Sequence, residues 1–115
     1  MSAVLHASSL QWPQATPIAA ERIINGNPAA STQVMFSDGR TELGLWRVSP
    51  GEFTTVHDGY EEFIHIVEGD GELINDDGTV ITLRPGAVLL LEDGWRGRWL
   101  IRRTLVKSYA TVGKT

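Results

Sequence analysis

Apolar and polar residues alternate over short stretches in much of the chain, which is the pattern of β-strands that bury one face. The pattern is evident in Glu61–Leu73, in Thr79–Trp99 and in Leu105–Val112. Glycine-containing turns such as Asp76–Gly78 separate the strands at intervals of about 8–12 residues or less, a spacing typical of antiparallel sheets. No convincing amphipathic helix is present. The sequence therefore predicts an all-β fold built as one small antiparallel barrel.

The first 33 residues differ in character from the rest. They hold three of the chain's five prolines among alanines and polar residues, and they predict an extended arm with one short strand around Arg22–Ile24. We expect the arm, residues 1–33, to pack on the barrel or on a partner subunit. Residues 34–115 are then the barrel itself.

The strand from Glu61 to Val67 carries apolar residues on both faces. Phe63 and Val67 share one face with His65, whereas Ile64 and Ile66 share the other with Glu62. A strand of this kind is expected to be covered on both faces, within a sandwich or at a subunit contact. Together with the N-terminal arm, this pattern predicts a homodimer.

Glu62 is the first candidate for a functional residue. A carboxylate on an apolar inner face is costly unless it is paired, metal-bound or protonated. The alternative is a strand-end glutamate that lies in water beside Glu61. For His65, a hydrogen-bonded core or interface histidine is the favoured interpretation.

A second candidate set is aromatic and basic. Trp46, Trp95 and Trp99 are large planar side chains suited to a small-molecule pocket, although Trp99 is equally well explained as barrel core. Arg96 and Arg98 flank Trp95 and are able to clamp a ligand carboxylate, or they belong to a solvated loop.

Lys107 and Tyr109 alternate onto one face of the last strand together with Leu105. If that face points into the barrel, an ammonium and a phenol lie near Glu62 as proton donors or anion-binding groups. If it points outward, they are ordinary surface residues.

Composition excludes several classes of function. The chain has no cysteine, which rules out disulfides and thiolate chemistry and is compatible with a reducing cytoplasm. A net charge of -4 argues against a nucleic-acid partner. The longest apolar run, Ala87–Leu91, is far too short to span a membrane, and the first ten residues show no secretory signal. We expect a cytoplasmic protein.

Several short motifs resemble those of the cupin barrel. They are Pro50-Gly51, Glu62, Glu68-Gly69, Pro85-Gly86 and the Gly94-Trp95, Gly97, Trp99 run. The chain is most similar to the small single-domain cupins related to (S)-ureidoglycine aminohydrolase and to the ethanolamine-utilisation cupin. In that subgroup the run is followed by Arg-Lys-x-Tyr. Here Lys107-Ser108-Tyr109 matches without the arginine. The resemblance covers about Met35 to Val112 and implies a jelly-roll (double-stranded β-helix) barrel, while leaving the reaction open.

The resemblance also allows the family's metal-ligand positions to be compared with the residues of this sequence. Metal-binding cupins offer several histidines and one glutamate, a set that suits Mn, Fe, Ni or Zn. Glu62 occupies the glutamate position. The first histidine positions hold either Val56 and Asp58 or Thr55 and His57, depending on the gap, and the last holds Gly97. His57 and Glu62 are thus an incomplete set of candidate metal ligands.

These observations predict a barrel-mouth pocket for a small polar or carboxylate-bearing molecule. Its expected ligand-binding residues are Trp46, His57, Trp95, Arg96 and Trp99. An aminohydrolase- or isomerase-like enzyme would use Glu62 as base and Lys107 or Tyr109 as proton donor. The alternative is a non-catalytic binding or sensor protein that has lost its metal ligands.

Overall fold

The computed structural model describes residues 3–114, which form nine β-strands and one turn of 3-10 helix at Ala20–Arg22. No α-helix occurs within that range. The strands are β1 (Thr16–Pro17), β2 (Ile23–Gly26), β3 (Ala29–Ser37), β4 (Thr41–Val48), β5 (Gly51–Val56), β6 (Tyr60–Asn75), β7 (Val80–Leu83), β8 (Val88–Leu91) and β9 (Arg96–Gly113).

Strand β9 organises the sheet. Its first half pairs antiparallel with β5, its second half pairs with β4, and β6 runs along its other edge over nearly its whole length. The remaining strands extend this framework, with the order β1-β3-β4-β9-β5-β2 on one path and β7 and β8 attached to β6. The result is a curled antiparallel sheet of the jelly-roll type.

Strand β6 pairs irregularly with β9 in its middle. The pairing of β6 with β9 shifts register between Ile66 and Gly71. Gly69 adopts a positive φ of 103°, and a Cβ at this position would lie 2.6 Å from the Cα of Leu105. Only glycine permits both this backbone conformation and this close approach.

The inner face of the sheet forms the hydrophobic core. Trp99 and Phe53 lie parallel with their ring centroids 6.5 Å apart, and aliphatic side chains surround them. The fully or almost fully buried members include Val48, Ile64, Ile66, Leu73, Leu83, Leu91, Ile101 and Leu105. Ile64 and Ile66 fix the orientation of β6, so that Glu62, two positions earlier, faces inward as well.

The N-terminal segment packs on its own barrel, on the outer surface around Trp12 and Pro13 and in the hydrophobic core at Ile18. The guanidinium of Arg47 lies 5.0 Å from the ring centroid of Trp12, and the hydroxyl of Ser31 donates a hydrogen bond of 2.7 Å to the carbonyl of Pro13. The strand expected around Arg22–Ile24 is β2. The expected boundary after residue 33 falls inside β3, and within the expected arm β1 and β2 also pair with strands of the sheet.

The outer face of β6 differs from the sequence prediction. Phe63 is 51% exposed, and its neighbours Val88 and Leu90 on β8 are 58% and 55% exposed. The expectation that both faces of this strand are covered does not hold for the single chain. His65 is also exposed on this face. Among residues 3–114, no helix is long and apolar enough to cross a membrane.

Candidate functional site

Glu62 and Lys107 form a buried ion pair on the inner face of the barrel. The Lys107 ammonium donates a hydrogen bond of 2.6 Å to Oε2 of Glu62, and the two residues are only 7% and 5% exposed. Lys107 comes from β9, beside Trp46 of β4 and Ile66 of β6. The pairing of these three strands therefore determines the position of the lysine.

Aromatic rings surround the ammonium group of Lys107. Its Nζ lies 4.5 Å from the ring centroid of Trp46, 4.9 Å from that of Trp99 and 5.8 Å from that of Tyr109. Burial lowers the pKa of Lys107, while the negative charge of Glu62 acts in the opposite direction. The ring faces also favour the cation. The lysine is thus held charged by specific contacts, in a place where solvent does little to support its charge.

His57 contacts the other oxygen of Glu62. Its Nε2 lies 3.3 Å from Oε1, and its ring lies against Tyr60, with centroids 4.7 Å apart, and edge-on to Trp95. Burial is the main reason that the pKa of His57 is lowered, and Glu62 opposes the shift. A neutral ring facing a carboxylate carries its proton on Nε2. Among residues 3–114, no group lies in hydrogen-bond geometry to the buried Nδ1.

Tyr109 lies on the same face and is paired with a second carboxylate. Its hydroxyl donates a hydrogen bond of 2.6 Å to Oε2 of Glu42. Burial first, then the hydrogen bond to Glu42, raises the pKa of Tyr109 well above its usual value. The phenol therefore stays protonated. Gly44 leaves the room that the phenol needs, since a Cβ there would lie 2.9 Å from the Tyr109 hydroxyl oxygen.

These side chains line a cavity with two adjoining lobes. The outer lobe has a volume of about 330 Å³ and the inner lobe about 170 Å³. Trp46, Tyr60, Glu62 and Lys107 line both lobes. The outer lobe adds Thr32, Glu42, Tyr109 and Thr111, and the inner lobe adds Ile18, Arg22, Phe53, Thr55, His57 and Trp99. The cavity is large enough for a small organic molecule.

The structure brings most of the predicted site residues together, but not all of them. Trp46, His57, Glu62, Trp99, Lys107 and Tyr109 all line the cavity. The Trp95 ring packs edge-on against the His57 ring, and its Nε1 donates a hydrogen bond of 2.8 Å to the side chain of Asn75. Arg96 is exposed and lines neither lobe, and Arg98 pairs with Glu52 at 3.1 Å. The expected arginine clamp therefore does not face this cavity.

Sequence reasoning missed Glu42, Tyr60 and Arg22. Glu42 alternates with Gly44 and Trp46 on β4, and Tyr60 precedes Glu62 by two positions on β6. Strand alternation places both on the inner face, so this signal was available. Arg22 follows no such rule, because it belongs to the 3-10 turn, where its guanidinium donates hydrogen bonds to the backbone of Thr54 and the hydroxyl of Thr55.

The residues around Glu62 do not fit a divalent metal ion. The Lys107 ammonium already occupies one carboxylate oxygen, and His57 faces the other. Within residues 3–114, no group of three or more His, Cys, Asp or Glu side chains is arranged to hold a metal. At the position of the family's last histidine, a Cβ on Gly97 would lie 2.6 Å from the ring of Trp95. The tryptophan thus occupies the space that a histidine side chain would need.

Comparison with known proteins supports the fold. Residues 36–109 match the model of the EutQ-like cupin domain, which is more than half of the chain. The chain belongs to this family. A search of curated proteins returned no significant match for this EutQ-like cupin.

Solved structures show the same fold at low sequence identity. A protein of unknown function of the DUF861 family from Pseudomonas syringae superposes with a TM-score of 0.79 at 20% identity, over 90% of this chain and 45% of that one. The EutQ-like cupin thus spans less than half the length of that relative. The Clostridium difficile EutQ protein gives a TM-score of 0.66 at 17% identity, over 85% of this chain and 80% of its own.

A third structure extends the comparison to the whole chain. An uncharacterised Klebsiella pneumoniae protein with a double-stranded β-helix domain gives a TM-score of 0.67 at 13% identity. The match covers 100% of this chain and 93% of that protein. Identities this low establish the fold and leave the chemistry to the residues of the site.

Proposed function

We propose that this EutQ-like cupin binds a small polar molecule in the two-lobed cavity and exchanges a proton with it through Glu62 and Lys107. The observation that carries the proposal is the buried ion pair in the cavity wall. Replacement of such a pair by apolar residues of similar volume is often neutral or stabilising. A stability requirement alone therefore does not account for two charges at this place, and titratable groups in a cleft are the usual machinery of catalysis.

The contacts suggest a role for each residue. Lys107 has a lowered pKa, so it gives up a proton to a ligand more readily than a surface lysine does. Glu62 holds the lysine in place. Its carboxylate also accepts the proton that the ligand or an attacking water gives up, since each of its oxygens has room for a second hydrogen bond beside the one within the protein. Tyr109 directs its proton to Glu42, so we assign it to ligand binding rather than to proton transfer.

The reaction class that fits these groups is hydrolysis or isomerisation at a C–N or carbonyl centre. An aminohydrolase reaction, which the resemblance to ureidoglycine aminohydrolase-related cupins implies, is one member of this class. It needs one group that accepts a proton from the attacking water and one that protonates the leaving nitrogen. Glu62 and Lys107 supply such a pair without any step through a metal.

A non-catalytic sensor or binding protein is the second candidate. It is favoured by the engagement of both Glu62 oxygens within the protein, by Lys107 at 2.6 Å and by His57 at 3.3 Å. A carboxylate held on both sides is well suited to fixing the shape of a binding pocket. In this candidate the ligand contacts the pair but leaves unchanged.

One experiment tests the proposal and separates the two candidates. Ureides, amino acids and sugar acids are screened by thermal shift and tryptophan fluorescence, first on the wild type and then on Lys107→Met. Compounds that bind are incubated with protein, and product is followed by NMR. Loss of binding in Lys107→Met, together with product formation by the wild type, supports the enzyme. Binding to the wild type without product formation supports the sensor. Unchanged affinity for every bound compound in Lys107→Met contradicts both.

A further inference from the structure

Within residues 3–114, Glu42 is the charged group of the outer lobe that forms no ion pair. Two carboxylates and one ammonium line this lobe, which gives a formal charge of -1. The ammonium of Lys107 is committed to Glu62 at 2.6 Å. Over residues 3–114, Glu42 takes part in no salt bridge and accepts one side-chain hydrogen bond, from Tyr109. The unbalanced negative charge of the lobe therefore lies at Glu42.

The partial burial of Glu42 strengthens this charge. A carboxylate that is half-buried in a cavity acts more strongly on a nearby charge than one in open water. This effect favours a cationic ligand group and disfavours an anionic one.

Lys107 does not offset this preference. Its ammonium is enclosed by the rings of Trp46 and Trp99 and by the Glu62 carboxylate. A ligand anion would have to compete with Glu62 for it. The remaining polar groups of the lobe, Thr32 and Thr111, are neutral and form hydrogen bonds with polar atoms of either kind.

We infer that the outer lobe recognises a ligand carrying an ammonium or amidinium group, which donates hydrogen bonds to Glu42 while the rest of the molecule extends toward Glu62 and Lys107. This inference rests on the proposed function and specifies its ligand class. It replaces the carboxylate-bearing ligand that the sequence suggested through Arg96, which lies outside the cavity.

Three small amides of nearly equal size test the inference. Glycinamide carries an ammonium group, propanamide a methyl group in its place, and malonamate a carboxylate. Affinities are measured by the quenching of tryptophan fluorescence, since Trp46 lines the lobe. We expect glycinamide to bind about tenfold more tightly than propanamide, and malonamate to bind most weakly.

Two variants locate the effect. Glu42→Gln keeps an acceptor for the Tyr109 hydroxyl but removes the charge, so we expect it to weaken glycinamide binding about tenfold and to leave propanamide binding unchanged. Glu72→Gln removes an equal charge from a residue that lines neither lobe and pairs with Arg102, and it should keep the wild-type preference. Melting temperatures report whether both variants fold.

The inference is overturned if propanamide or malonamate binds the wild type as tightly as glycinamide does. It is equally overturned if Glu42→Gln retains the preference, or if glycinamide does not bind at concentrations up to about 0.1 M, a range generous even for a ligand of this size. The proposed function fails by a different result, namely unchanged affinity of all bound compounds in Lys107→Met. The two failures are therefore distinguishable.

Discussion

At the scale of single residues, the burial of Glu62 and Lys107 has a high desolvation cost, which specific contacts offset. Both residues are almost fully buried, and removal of two charges from water costs several kcal/mol per ion. The 2.6 Å hydrogen bond and the aromatic rings around Nζ offset this cost. Loss of one member leaves the other charged and without its partner.

The first prediction follows from this arrangement. Lys107→Met should destabilise the protein by about 3–5 kcal/mol, because Glu62 then stays buried without a counter-charge. Glu62→Gln should also destabilise it, whereas the double variant Glu62→Gln/Lys107→Met should be more stable than Lys107→Met alone. Urea denaturation of the four proteins gives the coupling energy. Additive losses would show that the pair does not interact.

The second prediction concerns pH and His57. Burial holds the pKa of His57 below its ordinary value of 6.5, so the unfolded chain binds a proton at a higher pH than the folded protein does. Stability from this group is complete above pH 6.5 and falls as the pH decreases toward the folded pKa. The slope is at most about 1.4 kcal/mol per pH unit for one proton.

The measurement compares the wild type with His57→Gln, which does not titrate. Free energies of unfolding are determined from pH 7.5 down to about pH 5. As the pH falls, the wild type should lose more free energy of unfolding than His57→Gln does. A difference that is independent of pH would show that His57 does not titrate differently in the two states.

The residue scale also shows what strand alternation can and cannot predict. Alternation put Glu62 on the face of Ile64 and Ile66, where it lies, and grouped Lys107 with Tyr109. It could not decide which face of β9 is inside, since apolar residues occur on both. The contacts of Arg22 depend on a turn from a separate part of the chain, and periodicity carries no information about such contacts.

At the scale of secondary-structure elements, glycines mark close approaches as well as turns. The sequence predicted that glycine-containing turns separate the strands, but Gly69 and Gly71 lie within a single strand. In the structure β6 continues through both. Gly71 lies against the carbonyl of Leu100 and Gly69 against Leu105. Such contacts join segments that are distant in sequence, so local pattern cannot reveal them.

The third prediction uses the close approach at Gly97. A Cβ there would meet the ring of Trp95 at 2.6 Å and the carbonyl of Ile74. Gly97→Ala should therefore destabilise the protein by about 1–3 kcal/mol. The control is Gly113→Ala, also on β9, where the nearest atom to the new Cβ lies at 3.4 Å. Equal melting temperatures for the two variants would contradict the prediction.

The fourth prediction concerns metal content. With Lys107 bound to Glu62 and Trp95 in the space beside Gly97, the purified protein should carry Mn, Fe, Ni or Zn at well below one ion per chain. Gly97→His should not raise this content, because the histidine cannot enter without displacing Trp95. Plasma mass spectrometry measures both proteins. A stoichiometric metal in the wild type that disappears in His57→Ala would show that a metal site exists.

At the scale of the whole molecule, the apolar outer face of β6 and β8 is exposed to solvent in the single chain. Phe63, Val88 and Leu90 form a continuous exposed patch. Within residues 3–114 the contacts of the N-terminal segment lie elsewhere, since β1 pairs with β3, β2 pairs with β5, and Trp12 and Pro13 contact Arg47 and Ser31. We propose that a second copy of the chain covers the patch through a two-fold contact, in which the same surface serves both subunits.

The fifth prediction tests this assembly. The wild type should sediment as a dimer at micromolar concentration. Phe63→Glu should sediment as a monomer with an unchanged circular dichroism spectrum, because a charge in an apolar contact is costly. Val80→Glu, a matched change at an exposed residue of β7, should remain dimeric. A wild-type monomer would contradict the proposal.

The central position of β9 has a consequence for how the chain folds. It joins β4, β5 and β6, and its pairs reach back as far as Thr41 opposite Val112. During synthesis, the strands that precede it emerge with their sheet edges unpaired and with much of the core still open. The barrel can close only when β9 has emerged, so folding depends on non-local contacts and is expected to be slow. Until then the apolar strands are exposed to aggregation.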